Sequence, residues 1–184
     1  AVFLSMAVAG LVLLVALPLW RLSFGLSYEW WRLTHGAIAV GVLLVAVAHA
    51  VQVGHYTNRF WKRAFWAGFG GAGMLLVAHT RAAKPALVRR RPYRVAGVRP
   101  DRGGVYSLAL EPDGHDGLHF RAGQYAWVTV GDTPFALQQH PFTVASSDAR
   151  PGRVEFAVKE LGDFTASVKD LRPGTRAFVE GPYG

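Results

Sequence analysis

The sequence predicts two dissimilar parts: a membrane bundle of three α-helices, followed by a small antiparallel β-barrel that contains one helix. Charge divides the chain first, because residues 1–91 hold ten of the 20 basic residues and the single acid Glu29, whereas residues 92–184 hold ten bases and eleven acids. Apolar runs long enough to span a bilayer occur only in the first part. Short strand-like segments begin near Tyr93.

Three apolar segments are candidates for membrane spans: Ala1–Trp20, Leu33–Val53 and the shorter Ala64–Thr80, whose helix we expect to begin near Phe60. About 20 residues cross the ~30 Å hydrocarbon core, so the first two segments are long enough by themselves. The first lacks a basic region and a small-residue cleavage site, which favours a transmembrane helix over a signal peptide. Because it also lacks an initiator Met, we expect the chain to be a fragment.

Basic residues flank these segments and predict the orientation of the chain. Arg81, Lys84 and Arg89–Arg91 follow the third segment, while Arg21 and Arg32 lie between the first two. Lys and Arg concentrate in the cytoplasmic loops of membrane proteins, so the C-terminal half is expected on the cytoplasmic side. The same charge suits contact with anionic membrane lipid, and we expect no nucleic-acid partner.

His35 and His49 lie fourteen residues apart within a stretch, Leu33–Asn58, that contains no Lys, Arg, Asp or Glu. Fourteen helical steps of about 100° bring both imidazoles to one face, with roughly 21 Å of rise between them. Neutral imidazole is a common axial ligand of haem iron, and metal-binding groups at membrane depth are functional candidates. The spacing favours two haem ligands, one near each membrane face. The alternative is a pair of histidines that hydrogen-bond a neighbouring helix.

Two further histidines and the absence of cysteine bear on which electron carriers the chain could hold. His55 lies about 240° around the helix from His49 and is interpreted as a polar residue at the outer boundary. His79 ends the third segment, where an interfacial residue is expected. Without cysteine there are no disulfides, thiolate ligands or iron–sulfur clusters. Any electron carrier must therefore be haem or an organic cofactor.

The second part has the pattern of an antiparallel barrel, because β-branched and aromatic runs alternate with turn-forming Gly, Pro and Asp. The predicted strands are Val105–Leu110, Gln124–Val130, Phe142–Ser146, Val154–Lys159 and Arg176–Glu180. One helix is predicted from about Phe164 to Leu171, between Gly162 and the break at Pro173. Small β-domains bind many ligands, so the fold alone does not identify a function.

Three motifs in this part carry more specific information: Phe120–Tyr125, His140–Ser146 and Leu161–Thr165. Together they resemble the flavin domain of the ferric reductase and NADPH oxidase family. Members of that family join a six-helix haem-binding membrane domain to an FAD-binding barrel of the ferredoxin-reductase type, and then to a nicotinamide domain. The resemblance covers most of the chain.

The resemblance implies a domain organisation and a set of haem ligands. Residues 1–83 would be the last three of six membrane helices, residues 84–92 a basic linker and residues 93–184 the FAD-binding domain. In this family the fifth helix carries two histidines at the spacing of His35 and His49, which implies two b-type haems. Their second ligands would come from an upstream helix that this segment lacks. The nicotinamide domain, through which NAD(P)H would supply electrons, is also missing.

The flavin motifs contain the chemical groups that a flavin requires. Phe142 would supply an apolar wall and Thr143 a hydroxyl near the isoalloxazine ring, while the N–H groups of a helix that opens at Gly162 suit a diphosphate. Gln124 and Tyr125 belong either to the barrel core or to the flavin contacts. The alternative is an ordinary strand followed by a capped helix. The residues expected to bind FAD are His140, Pro141, Phe142, Thr143, Ala145, Ser146, Gly162, Asp163, Phe164 and Thr165.

The implied function is that of a transmembrane flavocytochrome oxidoreductase. Such an enzyme passes electrons from NAD(P)H through FAD and two b-type haems to an acceptor such as ferric iron across the membrane. The alternatives are a superoxide-generating NADPH oxidase and a haem-free, membrane-anchored flavin reductase. The expected location is a bacterial-type cell membrane, with the FAD domain in the cytoplasm. The expected partners are membrane lipid, a small-molecule electron acceptor and the upstream helices.

Overall fold

The structure is a computed structural model that forms two compact units, residues 1–82 and residues 83–184. The residues that it describes are 2–21, 23–54, 57–149 and 152–184. His55 and the predicted turn residues Arg150 and Pro151 lie outside the described residues. The domain boundaries predicted after residues 83 and 92 stay predictions.

The first unit contains three helices: α1 (Val2–Trp20), α2 (Tyr28–Val53) and α3 (Phe60–Ala78). Helix α2 begins before its apolar run because Ser27 caps it, its hydroxyl accepting a hydrogen bond from the Trp30 N–H at 3.4 Å. An N-cap hydroxyl of this kind satisfies one of the four N–H groups that open a helix without a partner. The aromatic turn before Leu33 is therefore helical as well.

Two of these helices, α1 and α2, are long and apolar enough to cross a membrane, with mean hydropathies of 2.6 and 2.2. Apart from Ala7, no residue of α1 or α2 is buried within the unit, in contrast to the core helix of a soluble protein. Helix α3 does not meet the same criterion, because Lys62, Arg63 and several glycines lower its hydropathy. The prediction of three spans is therefore supported for two helices, by length and composition alone.

Small residues let the three helices approach one another closely. Gly10 of α1 faces the Val42 side chain of α2. Gly70 of α3 lies so near Val47 that a methyl group on it would stand 2.9 Å from Val47 Cγ2, whereas a methyl group on Gly71 would meet nothing within 4 Å. One side of α2 therefore contacts α1 and another side contacts α3.

The predicted basic linker is partly helical. A π-helical turn spans His79–Ala83, and the short helix α4 (Lys84–Val88) follows it. Pro85 stands in the first turn of α4, where its missing N–H leaves no hydrogen bond unmade. The run Arg89–Arg91 then leads into the first strand of the sheet.

The second unit is built on one six-stranded antiparallel sheet with the strand order β4-β3-β6-β1-β2-β5. The strands are β1 (Pro92–Pro100), β2 (Val105–Pro112), β3 (Tyr125–Val130), β4 (His140–Thr143), β5 (Val154–Lys159) and β6 (Arg176–Tyr183). A bridge between Val144 and Phe156 joins the end of β4 to β5, the two edge strands, and curls the sheet. The predicted small barrel is therefore confirmed as an antiparallel half-barrel.

Strand β1 is absent from the sequence prediction. Arg94, Gly97 and Arg99 interrupt its β-branched residues, and the prolines at its two ends read as turn signals. Tyr93 and Val95 nevertheless point into the core, since they are only 3% and 1% exposed. Pairing with both β2 and β6 decides the conformation of this segment, and the sequence of β1 alone does not reveal those partners.

The core of the half-barrel holds two of the three motifs in place, His140–Ser146 and Leu161–Thr165. Helix α5 (Asp163–Ser167) and a 3₁₀ turn (Val168–Asp170) occupy the place of the single predicted helix. The largest fully buried side chains include Leu108, Leu110, Val128, Phe156 and Val158. Phe142 of β4 and Phe164 of α5 are partly buried against this core. The packing of the core therefore positions residues from both motifs.

Candidate functional site

Strand β4 carries the first flavin motif and directs its side chains to two faces. His140 and Phe142 are half-buried, whereas Pro141 and Thr143 are exposed on the other face, as the two-residue period of a strand requires. Thr143 lies directly opposite Tyr125 of β3, which is also exposed. Tyr125 is therefore a surface residue beside the motif and does not belong to the core.

The half-buried face gathers three rings from the two motifs. The Phe164 ring stacks on the His140 ring, with centroids 4.0 Å apart and planes inclined by 14°. It is also nearly parallel to the Phe142 ring, at 6.3 Å and 22°. The sequence suggested an aromatic wall from Phe142 alone, and the structure adds His140 and Phe164 to it. Flat, partly exposed rings of this kind suit the planar isoalloxazine of a flavin.

The predicted diphosphate contact at the start of α5 stays a prediction, and the Thr165 side chain there bonds within its own turn. The Thr165 Oγ accepts hydrogen bonds from the N–H groups of Leu161 and Gly162, both at 2.9 Å, and its hydroxyl donates to the Gly162 carbonyl at 2.9 Å. The hydroxyl is thus used within the turn. Asp163 adds an exposed carboxylate in the first turn, and a like charge disfavours a diphosphate there. In this geometry Gly162, Asp163 and Thr165 shape the turn.

Ala145 and Ser146 hold the half-barrel together. The Ala145 N–H donates to the Glu155 carbonyl at 2.8 Å, and the Ser146 Oγ accepts from the Glu155 N–H at 3.0 Å. These bonds extend the contact between the end of β4 and β5. Their predicted flavin contacts stay predictions, and the structure gives both residues a structural role.

Gln124 and Tyr125 connect β3 to the end of β6. The Gln124 Nε2 donates to the Gly184 carbonyl at 2.8 Å, and its Oε1 accepts from the Arg121 N–H at 2.8 Å. The rings of Tyr125 and Tyr183 lie 5.7 Å apart. Gln124 is therefore a structural connector, while the exposed Tyr125 and the half-buried Tyr183 form an aromatic pair at the edge of the site.

Tyr183 also belongs to a polar triad that sequence reasoning missed. Its hydroxyl donates to Glu180 Oε1 at 2.5 Å and accepts from Lys84 Nζ at 3.1 Å, and Lys84 Nζ lies 3.6 Å from Glu180 Oε1. The hydrogen bond with Tyr183 is the main cause that raises the pKa of Lys84. Burial, followed by the hydrogen bond to Glu180, raises the pKa of Tyr183. No sequence signal joins residues that are 99 positions apart.

The two candidate haem ligands lie on the side of α2 that contacts α1. His35, Val42 and His49 follow one another at seven-residue intervals, so they share a stripe of the helix, and Val42 packs on Gly10 of α1. Within the described residues, His35 Nδ1 and Trp31 Nε1 are buried without a hydrogen-bond partner, and the two rings lie 5.4 Å apart. A bound group or water could satisfy both atoms.

Comparison with known proteins bears on the second unit. Residues 107–184 match the FAD-binding domain family. The reductase component of propane 2-monooxygenase from Rhodococcus jostii (strain RHA1) is 31% identical over 94 residues, which cover 50% of this chain and 25% of that protein. Sulfhydrogenase 1 subunit gamma from Pyrococcus furiosus is 32% identical over 65 residues, which cover 35% of this chain and 21% of that protein.

Two solved structures are also similar to this chain. The ferredoxin reductase in carbazole 1,9a-dioxygenase is 24% identical, with a TM-score of 0.45, over 51% of this chain and 28% of that one. Phthalate dioxygenase reductase is 19% identical, with a TM-score of 0.43, over 50% of this chain and 29% of that one. The chain spans about a quarter of the length of the curated relatives it matches. The match to the FAD-binding domain family falls within the antiparallel half-barrel, from inside β2 to the end of the sequence after β6.

Proposed function

We propose that this chain is part of a transmembrane flavocytochrome oxidoreductase, in which electrons from NAD(P)H reach an acceptor such as ferric iron across the membrane. The FAD-binding domain supports the oxidoreductase class. The observation that carries the finer proposal is the pair His35 and His49, aligned on one stripe of an apolar helix in the same chain as that domain.

The residues of the half-barrel fit a flavin. When bound, FAD supplies the exchange between hydride transfer and single-electron transfer. The rings of His140, Phe142 and Phe164 offer an apolar wall that keeps water from one side of the site. Thr143, on the opposite face of β4, offers an exposed hydroxyl as a hydrogen-bond donor. Arg121 and Gln124 keep the neighbouring strand β3 in register with the end of β6.

The residues of α2 fit a haem ligand set in part. His35 and His49 each offer one imidazole, and the buried Nδ1 of His35 is the kind of atom that a bound group would satisfy. Within the part of the chain that the structure describes, no cluster of three or more His, Cys, Asp or Glu could hold a metal ion. Each of two b-type haems would therefore need a second axial ligand, and we assign this role to an upstream helix as a partner.

Location follows from the same proposal. Helices α1 and α2 would lie in a bacterial-type cell membrane, in contact with membrane lipid. The basic residues Arg81 and Arg89–Arg91, near the end of the helical unit and at the start of the half-barrel, support a cytoplasmic FAD domain. The electron acceptor would then be a small molecule on the opposite side.

A reduced-minus-oxidised visible spectrum tests this function. The chain is produced together with its neighbouring sequence and compared with the variants His35→Ala, His49→Ala and, as a matched control, His79→Ala. We expect sharp low-spin b-type bands in the parent protein, a loss of about half of their intensity in each α2 variant, and no loss in the control. Flavin absorbance serves as an internal standard for folded protein.

The main alternative is a haem-free, membrane-anchored flavin reductase. The contact between Val42 and Gly10 favours it, because this contact fills the space midway between the two histidines. Flavin absorbance without haem bands would refute the flavocytochrome and leave this alternative. A superoxide-generating oxidase is the second alternative, and oxygen consumption that exceeds ferric-chelate reduction would identify it.

A further inference from the structure

The half-barrel unit contains a cavity of about 260 Å³ that no part of the proposed function uses. Its wall includes Lys84, Leu87, Arg91, Tyr93, Leu118 and Tyr183. None of the ten residues predicted to bind FAD lines it, so it is separate from the ring cluster of β4 and α5. Pockets for drug-sized ligands measure roughly 300–1,000 Å³, so this cavity suits a small ligand or the head of a longer molecule.

The charged groups of the wall leave a net positive charge. Glu180 is the single acid among the lining residues, and it is already bound by Lys84 and by the Tyr183 hydroxyl. Arg91 is exposed and takes part in none of the ion pairs found among the described residues. A ligand that enters the cavity would therefore meet the guanidinium of Arg91 as an available cation.

The other polar groups limit which ligand atoms the wall can bind. His115 is fully used, since its Nε2 donates to the Pro92 carbonyl at 2.8 Å and its Nδ1 accepts from the Gly117 N–H at 3.1 Å. Burial raises the pKa of Tyr93 to about 12, and the nearby charge of Arg91 acts in the opposite direction. Tyr93 is therefore a neutral hydroxyl close to the Arg91 cation. Both groups are hydrogen-bond donors for an anion.

The remainder of the wall is apolar. Leu118 and Val179 are buried, Val88 is half-buried, and Leu87 is 57% exposed at the surface of α4. Leu87 and Arg91 both line the cavity, so an amphiphilic anion could make an apolar contact with the leucine and an ionic contact with the arginine. Burial of apolar surface would add to the charge-assisted hydrogen bond.

We propose that this cavity binds a phosphate ester that carries an apolar substituent, with Arg91 bound to the phosphate and Leu87 in contact with the substituent. The guanidinium matches phosphate geometry through two parallel N–H donors. Two sources share this chemistry, the headgroup of an anionic lipid and a soluble phosphate ester. The proposal depends neither on haem nor on the identity of the electron acceptor.

Binding of soluble probes to the full chain in nonionic detergent tests the proposal. The probes are dihexanoyl phosphatidic acid, dihexanoyl phosphatidylcholine and glycerol 3-phosphate, measured by isothermal titration calorimetry. The variants are Arg91→Gln, Leu87→Gln and the control Arg90→Gln, which removes the same charge one residue away from the wall. We expect phosphatidic acid to bind the parent protein and to bind Arg91→Gln about tenfold more weakly. The affinity of the Arg90→Gln control for phosphatidic acid should differ from that of the parent protein by less than twofold.

The remaining outcomes identify the source or reject the site. Leu87→Gln should weaken the binding of phosphatidic acid severalfold and leave the affinity for glycerol 3-phosphate unchanged. Glycerol 3-phosphate that binds as tightly as phosphatidic acid would show that the apolar substituent contributes nothing and would overturn the proposal. With n-hexyl phosphate as a fourth probe, an affinity equal to that of phosphatidic acid indicates a soluble ester, and an affinity at least tenfold weaker indicates a lipid. Equal losses in Arg91→Gln and Arg90→Gln would show a general effect of surface charge and overturn the proposal. Phosphatidylcholine that binds as tightly as phosphatidic acid would overturn it as well.

Discussion

The two units place the same kinds of residue in opposite environments. In the half-barrel, Leu108, Phe156 and Val158 are fully buried in one core. In the helical unit, Phe69 and Leu76 are mostly exposed, and Ala7 is the one buried hydrophobic residue among those that the structure describes there. The half-barrel therefore has a core of its own, while the helical unit leaves most of its large apolar side chains exposed, which the proposed membrane location would cover.

The largest expected effect is on the stability of the half-barrel, and it tests whether the two units differ in this way. Phe156→Ala removes a fully buried ring from the core of the half-barrel, and we expect a loss of about 3–5 kcal/mol in its free energy of unfolding. Phe69→Ala removes the same ring from a 59% exposed position on α3 and should leave the half-barrel unchanged. Hydrogen exchange by mass spectrometry, applied to the intact chain in detergent, reports on β2 and β5 separately from the helices.

The exchange rates give a clear criterion for this pair. A loss of 3–5 kcal/mol corresponds to strand exchange that is roughly a hundred to several thousand times faster. Equal acceleration of β2 and β5 in Phe69→Ala would show that the helical unit contributes to the stability of the half-barrel, which contradicts the comparison.

The next effect concerns Tyr93, an ionisable side chain that is buried in the core of the half-barrel. Burial raises the pKa of Tyr93 to about 12, above the value of about 10 in the unfolded chain. The unfolded state therefore loses its proton first, and the stability of the half-barrel should fall as pH rises from about 10 to about 12. The total loss is about 2–3 kcal/mol, since each pH unit in this window costs about 1.4 kcal/mol.

The Tyr93→Phe variant isolates this effect. Phenylalanine keeps the ring that packs against His115 and removes the ionisable hydroxyl. Denaturation of both proteins is measured between pH 8 and pH 12, and the difference between them removes the contribution of other groups. A constant difference across this range would mean that Tyr93 does not hold its proton more tightly in the folded state.

The contrast between the units also explains how far the sequence predicts this structure. Strand β5 matches its prediction residue for residue, because Val154, Phe156 and Val158 alternate with polar positions. Helix α3 begins at Phe60, where the apolar composition predicts its start. Strand β1 and the triad of Lys84, Glu180 and Tyr183 could not be predicted, because both depend on contacts between residues far apart in the chain.

The candidate site shows the same division between local and long-range information. The motif on β4 and the aromatic residue Phe164 are recognisable from local sequence, and the stacking of Phe164 on His140 is consistent with a shared site. The prediction that Thr165 binds FAD stays a prediction, and the structure shows that its hydroxyl is used within its own turn. Local motifs indicate which residues belong to a site, but hydrogen-bond partners decide which atoms are available to a ligand.

A smaller effect is expected within the helical unit, where it measures how closely α2 and α3 pack. Gly70→Ala would bring a methyl group within 2.9 Å of Val47 Cγ2, whereas Gly71→Ala enters open space. Both changes gain the same helix propensity, so the difference between them measures packing. We expect Gly70→Ala to be less stable than Gly71→Ala by about 1–2 kcal/mol in thermal unfolding followed by helical circular dichroism in detergent. Equal stabilities would show that α2 and α3 do not pack at this point.

The smallest effect tests whether the surface of the half-barrel contributes to its stability at all. Arg153 lies 2.9 Å from Glu155 Oε1 and 3.6 Å from Glu111 Oε1, and all three side chains are partly exposed. Exposed ion pairs contribute little because water and salt screen them, so Arg153→Gln should cost less than about 0.5 kcal/mol, measured by the same exchange experiment as for Phe156. A cost that approached the cost of Phe156→Ala would mean that polar contacts between β2 and β5 stabilise the sheet. The stability of the half-barrel would then not come mainly from its buried core. The difference between the two units would be one of charge and not of burial.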